Sequence, residues 1–476
     1  MSVSPNETIL ETIERRLIPD DQAKKARGEV FTPLNLVREV LYGFRKSDLE
    51  NGAQVPWGVD KAGNVVEDTP DNRIGGIPLE VWRDPDTKWL DPANGIGNFP
   101  FVAFYMLDFQ LKNYGTKGSK EWTDEKRQRH IVENMLYMIE LDRGNVNTSF
   151  KVMDFLVPGS KPHICCADAL KLTDEDLKRH FGVSTFSVVM GNPPFNTPRS
   201  TKGQTTVLWD KFIVSMMKRV DKNGHFVFIT PQVWRKPEHV LFNAMTKDNQ
   251  LVFLKILGET ETQQEFHVGS RVDIYIIQMK PKDGESYIID ERGILNKIDV
   301  GTLPFIPSYL IKDIQSIITN DTDGIKVMHD RTMYGHDKKN VSKVKNDVFT
   351  LPVMNSMTAK GGNTLIYANA DKGHFGVPKV ILSGGRNQYP YNDYEGNYGL
   401  SDAVFGIPII SKTKEEGDLI VRAINTERFK EIIKATKWGT FQTEYKMFKY
   451  FRPDFYKEFL KKPEGGTRRR TRRNPH

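Results

Sequence analysis

The run Asn192-Pro193-Pro194-Phe195 puts a carboxamide, two prolines and an aromatic ring into four residues. Consecutive prolines fix φ and carry no backbone N–H, so neighbouring carbonyl groups stay available as acceptors. An amide oxygen, a carbonyl and a ring face at one strand end form a cradle for a flat group bearing an exocyclic NH₂. Adenine presents such a group. The apolar run Phe186-Ser187-Val188-Val189 just before it reads as a buried strand, so the tetrapeptide stands where that strand passes into a rigid loop. Four residues alone are equally compatible with an ordinary Asn-Pro turn. The rest of the pattern has to decide.

Three carboxylates fall at the ends of other predicted strands. Lys88-Trp89-Leu90 runs into Asp91-Pro92-Ala93-Asn94-Gly95-Ile96-Gly97-Asn98-Phe99, where two glycines permit a tight turn and a close backbone approach. Dinucleotide sites use a similar loop, but Pro100 stands where their third glycine is expected. Asp91 at the strand end points to a cationic or hydroxyl-bearing ligand, and a sulfonium amino acid fits that charge. Met135 to Ile139 is the next strand, and Glu140 at its tip is placed to accept from ribose hydroxyls. Glu140 lies 43 residues after Gly97, more than the usual spacing of about 20, and a charged stretch at 112–130, read as a surface insertion, accounts for the excess. Asp168 follows the strand His163-Ile164-Cys165-Cys166 and can accept from an adenine amino group. A single strand-end carboxylate is usually a solvated cap; three in succession beside a Gly-x-Gly loop are not readily incidental. No P-loop, zinc-spaced Cys/His set or nucleophile elbow competes.

These residues need a sheet to position them. Apolar strands alternating with helical patterns continue through a helix over 207–220 and strands at 224–230, 251–257 and 271–279, which predicts a doubly wound α/β domain. Pro33 opens a helix with Leu36, Val37, Val40 and Leu41 on one side, and residues 51–88 read as an inserted loop or hairpin region. Beyond about residue 300 the alternation is lost, and a second domain is expected over 301–460. The 476 residues, 38% hydrophobic and 27% charged, are those of an ordinary soluble protein. No apolar run is long enough to span a membrane, and the amphipathic segment 6–17 lacks the core of a signal peptide. The only two cysteines are adjacent, Cys165 and Cys166, which argues against a disulfide framework and fits a reducing compartment. Five of the +7 net charges lie in Arg468, Arg469, Arg470, Arg472 and Arg473, leaving about +2 on the body. The tail at 461–476 therefore reads as disordered and basic, able to touch phosphate or simply to solubilise.

Taken in order, Gly28-Glu29-Val30-Phe31-Thr32-Pro33, Asp91 to Phe99, Glu140, Asp168 and Asn192 to Phe195 resemble the motif set of S-adenosylmethionine-dependent N6-adenine DNA methyltransferases. The order is that of the gamma class found in restriction–modification systems, and the match covers roughly residues 25–280. The resemblance implies a Rossmann-like methyltransferase fold, with a mostly parallel seven-stranded sheet, in residues 1–300 and a C-terminal mixed α/β target-recognition domain. It implies S-adenosylmethionine as methyl donor and no metal. Phe31, Thr32 and Pro33 would meet the methionine end of the cofactor, Asp91, Pro92, Gly95, Gly97 and Phe99 its binding loop, Glu140 the ribose and Asp168 the adenine. Asn94 and Ile96 depart from the small residues usual in that loop. Asn192, Pro193, Pro194 and Phe195 would be the catalytic set, acting on a base flipped out of the duplex, with Phe266 as a second stacking face. The implied partner is double-stranded DNA, with a separate cognate restriction endonuclease; a monomer in a bacterial cytoplasm, or phage- or virus-encoded, is expected.

In the second domain, Arg386, Asn387 and Tyr389, together with Lys446 and Lys449, are residue types that read base edges and phosphates. A solvated loop or an amphipathic core helix would look alike. Trp234 reads as a core residue or loop anchor. The same tetrapeptide also suits enzymes that methylate RNA bases, a protein glutamine amide or the N4 of cytosine. The first motif starts at Gly28, so no fused N-terminal nuclease is expected, and a binding module without activity is disfavoured by the intact catalytic run.

Overall fold

The computed structural model describes residues 32–69, 72–197, 206–266, 269–319, 322–329, 339–358, 362–385, 387–439 and 442–461. Phe31, Arg386, the amphipathic segment 6–17 and the arginines of the tail lie outside them. The chain divides into two compact units, with the change at Leu303–Pro304; residues 235–238 also belong to the second unit.

The first unit is built on one nine-stranded sheet. Its strands are β1 Trp89–Asp91, β2 Leu136–Glu140, β3 His163–Cys166, β4 Phe186–Gly191, β5 Val220–Pro231, β6 Gln250–Leu257, β7 Val272–Gln278, β8 Ser286–Ile289 and β9 Leu295–Ile298. Their spatial order is β3-β2-β1-β4-β5-β7-β6-β8-β9. The first five of these are mutually parallel, while β7 runs antiparallel to both β5 and β6. Five parallel strands followed by the reversed β7 are the Rossmann-like arrangement that the resemblance implies. Two strands are added to the expected seven. β8 pairs parallel with β6, and β9 returns antiparallel to β8, so the edge of β6 is covered instead of open. Ser286 Oγ donates to Leu251 O at 2.6 Å and fastens this extension.

Central strands such as Val188-Val189-Met190 and Phe226 to Ile229 are fully buried because helices cover both faces. Flanking helices include α1 Leu34–Tyr42, α2 Asn98–Tyr114, α3 Asp124–His130, α4 Arg143–Leu156, α5 Asp174–Phe181, α6 Trp209–Met217 and α7 Glu259–Phe266. α6 is shorter than the 207–220 pattern, because Val220 already begins the 12-residue β5. The stretch 51–88 is no mere insertion: Trp57, Ile74, Ile77 and Trp82 lie in the main core, and Trp82 packs at a tilt on Trp89 of β1 with ring centres 4.3 Å apart. Residues 112–130 are likewise more than a surface insertion. Arg127 of α3 is buried and bonds Asp108 at 2.7 Å and Asp124 at 2.8 Å, since a buried guanidinium needs carboxylate partners. Lys255 of β6 pairs with Glu39 of α1 at 2.7 Å and with Glu261 of α7 at 3.4 Å, tying two helices to the sheet. Among the described residues no helix is long and apolar enough to cross a membrane, and both cysteines are free thiols.

The second unit is mixed α/β, with a four-stranded and a three-stranded sheet. The four-stranded sheet contains β10 Val341–Ser342, β11 Leu351–Ser356, β12 Thr364–Ala368 and β15 Gly399–Leu400. β13 Lys379–Ser383, β14 Tyr391–Asp393 and β16 Val404–Pro408 form the other. Helices at Lys414–Ile424 and Glu427–Ala435 pack Ile420, Ile424, Phe429 and Ile432 against Val380, Leu382 and Phe405.

Candidate active site

Parallel strands deliver their C-terminal ends to one edge, and ligands of open α/β sheets bind outside that edge where the strand order reverses. Here the order reverses at β1, which lies between β2 and β4. Asp91 ends β1, Glu140 ends β2, Asp168 follows β3 and Asn192 follows β4. The sheet therefore brings all four of these predicted residues to one edge. The contact between β1 and β4 is close: a Cβ on Gly191 would stand 2.8 Å from Asp91 Oδ1. A side chain at position 191 would force that carboxylate or the β4 end to move.

The loop after β1 is shaped by Gly95 and Gly97, both with positive φ, at 57° and 99°. Gly97 is the left-handed residue from which α2 starts. Glu140 holds this loop: its Oε2 accepts from Gly95 N at 2.7 Å and its Oε1 from Asp142 N at 2.8 Å. Asn94 Nδ2 donates to Ser149 Oγ of α4 at 2.7 Å, and Asn98 Nδ2 donates to Thr32 O at 2.8 Å. The Thr32-Pro33 turn is thus bound directly to the start of α2. Ser149 and Asn98 carry this geometry and were not singled out in the sequence. The one sign of Asn98 was an amide directly after the glycines. Phe99 differs from its expected role: its ring is 3% exposed and packs in the main core, so the side chain faces away from the loop. Asp168 caps its own turn by accepting from Leu170 N at 3.1 Å and meets Lys171 at 3.2 Å.

Asp91 is 1% exposed. Burial pushes its carboxyl well above the usual carboxylate range; the Glu140 charge adds to this, and the bond from Ala93 N opposes it. Such a carboxyl holds its proton more tightly folded than unfolded. Its contribution to stability is complete below about pH 4 and is lost as pH rises through the elevated native value. Asp91→Asn is therefore expected to melt a few degrees higher than the natural protein at pH 8, with the gap closing toward pH 4.5 in scanning calorimetry. Equal melting at pH 8 would show that Asp91 carries no such burden.

The Asn192–Phe195 segment is held at its far end. Phe195 O accepts from Leu208 N at 3.0 Å, and Asn196 bridges to Val207 across the base of the loop. Phe195 is half-buried against the main core, Pro193 is buried, and Asn192 Oδ1 is shielded from solvent. Phe266 is different. At 3% exposure it belongs to the core, where an aromatic ring is stabilised by burial, and it offers no face to a base. Trp234 is fully buried, edge-on to Tyr275 at 5.6 Å.

In the second unit, Lys446 and Lys449 both bond Glu238, at 2.7 Å and 2.8 Å. These two bonds hold the Glu238 carboxyl below its ordinary value against the opposing effect of its partial burial. Asn387 Nδ2 donates to Tyr389 OH at 3.4 Å, and Tyr389 lies against a small cluster containing Met354 and Met357. The two lysines and the 387–389 loop are exposed or half-buried.

No family model and no curated protein matches the chain. Solved structures do. The M protein of the type I restriction enzyme EcoKI is 13% identical, over 44% of this chain and 45% of that one, with a TM-score of 0.34. The type IIL restriction-modification enzyme MmeI, in complex with DNA, is 12% identical over 84% of this chain and 66% of its own, with a TM-score of 0.41. The ATP-dependent type ISP enzyme LlaBIII, bound to DNA, is 11% identical over 96% and 42%, with a TM-score of 0.47. All three are restriction enzymes or parts of them. The chain spans less than half the length of the EcoKI and LlaBIII chains.

Proposed function

We propose that the protein transfers a methyl group from S-adenosylmethionine to the N6 amine of adenine in duplex DNA. The observation that carries this reading is the close pass of the β4 end over Asp91, which sets the Asn-Pro-Pro-Phe loop beside the glycine loop. The donor set fits the cofactor: two neighbouring carboxylates, and side-chain oxygens of Thr32, Asn94 and Asn98 that are buried without a hydrogen-bond partner. Thr32, Pro33, Asp91, Pro92, Gly95, Gly97, Glu140 and Asp168 would hold it. When bound, it supplies an electrophilic methyl on a sulfonium.

The residues of the chain then act by placement. The lone pair of an aromatic amine is delocalised into its ring, which makes N6 a poor nucleophile. Asn192 Oδ1 and the Pro193 carbonyl accept the two amine hydrogens and draw the nitrogen toward tetrahedral geometry, freeing that lone pair. A carboxamide is no base, so the proton leaves after transfer. Near-attack alignment of this kind contributes about 7–11 kcal/mol. Phe195 stacks on the flipped base, an interaction worth roughly 1–3 kcal/mol. Labelled methyl transfer onto duplex DNA, RNA and protein, with nucleoside analysis of the product, tests the assignment. Label only on RNA or protein, or on cytosine, would overturn it.

The second unit reads the target in this proposal, with Asn387, Tyr389, Lys446 and Lys449 among the contacts. Glu238 competes with phosphate for both ammonium groups. Glu238→Gln is therefore expected to tighten duplex binding roughly fivefold at low salt, measured by fluorescence anisotropy. Unchanged or weaker binding would remove these two lysines from the interface.

A further inference from the structure

The C-terminal half of α2 borders a cavity that the candidate active site does not use. Its volume is about 430 Å³, and Trp57, Glu67, Asp68, Arg83, Phe109 and Tyr114 line it. All six belong to the first unit. Phe109 lies 11 residues after Asn98, roughly 16 Å along the helix axis from the loop that follows β1. A cavity of this size takes a small organic ligand.

The charges around it are unevenly matched. Asp68 is satisfied, accepting from Arg45 Nε at 2.7 Å and Thr69 N at 2.8 Å. Glu67 is exposed and accepts from Tyr114 OH at 2.6 Å. Arg83 has no carboxylate. Its Nε donates to Gln110 Oε1 at 3.0 Å, and its guanidinium lies 4.5 Å from the Tyr114 ring centre. The two terminal amino groups have no partner among the described residues. Gln110 is buried, so the amide that aims this guanidinium is fixed. Arg73 stands nearby, 5.3 Å from the Trp57 ring centre, with Nη1 on Ile77 O at 2.9 Å. It too forms no ion pair among the described residues. Burial lowers its pKa to about 10; the Glu80 charge opposes this, and the Arg83 charge adds to it. Arg45 and Arg127 of the same unit, by contrast, each hold an aspartate.

We infer that this cavity binds a small organic anion, a carboxylate or phosphate monoester carried on a single flat ring. Arg83 receives the anionic head, because a guanidinium presents a fork of N–H donors that matches either group. Arg73 adds a second uncompensated positive charge, which the bound anion relieves. Trp57 and Phe109 supply apolar wall for the ring, which is stabilised by burial there. Nothing in this cavity depends on methyl transfer, and its ligand and the cofactor bind at opposite ends of α2.

Calorimetry on the full chain tests this with phenyl phosphate, benzoate, inorganic phosphate and neutral benzamide. One of the two ring-bearing anions is expected to bind, and the tighter of them identifies the head group. Inorganic phosphate and benzamide should each bind at least about tenfold more weakly than that anion. Arg83→Gln should weaken the anion by about tenfold or more and change benzamide by less than about twofold. Arg83→Lys keeps the charge without the fork and should fall between, which keeps the test valid if the glutamine variant fails to fold. Saturating S-adenosylhomocysteine should leave the anion's affinity within about twofold. Competition between the two would place the anion in the candidate active site and overturn the inference. So would no binding of either ring-bearing anion at millimolar concentration, inorganic phosphate binding as tightly as they do, or full affinity in Arg83→Gln.

Discussion

Asn192→Ala is expected to lower kcat/KM for methyl transfer to duplex DNA by at least about 10³-fold, roughly 4 kcal/mol of transition-state stabilisation. The affinity for S-adenosylhomocysteine should stay within about twofold of the natural protein, because in the proposed arrangement this side chain meets the base and not the cofactor. In the proposed mechanism, truncation removes the carboxamide oxygen that takes one hydrogen of the amine and leaves the Pro193 carbonyl to act alone. The nitrogen then keeps its lone pair in the ring. Asn192→Asp preserves an acceptor at the same position but adds a charge beside Asp91 and Glu140, so its turnover should fall between the two. The split between kcat and cofactor affinity is the informative readout. Full turnover by the alanine variant would end the proposed mechanism, and a matching loss of cofactor affinity would mean that the substitution had disturbed the β4 end.

The parts of this site that were legible in the sequence share one physical reason. A parallel strand buried on both faces is a short apolar run, and where it ends the first polar residue must lie at the sheet edge. Asp91, Glu140, Asp168 and Asn192 could be placed that way, and the structure brings them to one edge. Direction within a loop was not legible. Phe99 and Phe266 look like ligand contacts in the chain, but an aromatic residue next to a motif is equally suited to the core, and the core holds both. Gly191 is invisible as a requirement until the Asp91 carboxylate is seen against it. The four-residue strands β8 and β9 are too short to show a period, so the chain reads as a seven-stranded sheet where nine strands are present. Charge was the least legible. Arg127, Lys255 and Lys379 look like surface residues, yet each is buried against a carboxylate.

Lys379 gives the largest expected effect on stability. Its ammonium is fully buried in the second unit, 2.7 Å from Asp393, which is 2% exposed at its side chain. Burial lowers the Lys379 pKa, and the bond to Asp393 opposes that shift. Lys379→Met leaves a buried carboxylate without its cation, and breaking one side of such a pair costs about 3–5 kcal/mol. Pairing it with Asp393→Leu removes the stranded charge and should recover part of the loss. The recovery should be incomplete for a specific reason: Asp393 also accepts from Asn397 N at 2.7 Å and Tyr398 N at 3.2 Å. Those two backbone donors would be orphaned by leucine, at about 1–3 kcal/mol each. Trp438, the single tryptophan after residue 303, is buried with its indole N–H on Ile306 O at 2.9 Å, so its fluorescence reports on this unit in urea. The single variant should lose its Trp438 transition at a clearly lower urea concentration, with the double variant between it and the natural protein. Coincident transitions for all three would mean that the pair is worth no more than two well-packed apolar side chains, and that β13 and β14 are held by their ladder and core alone.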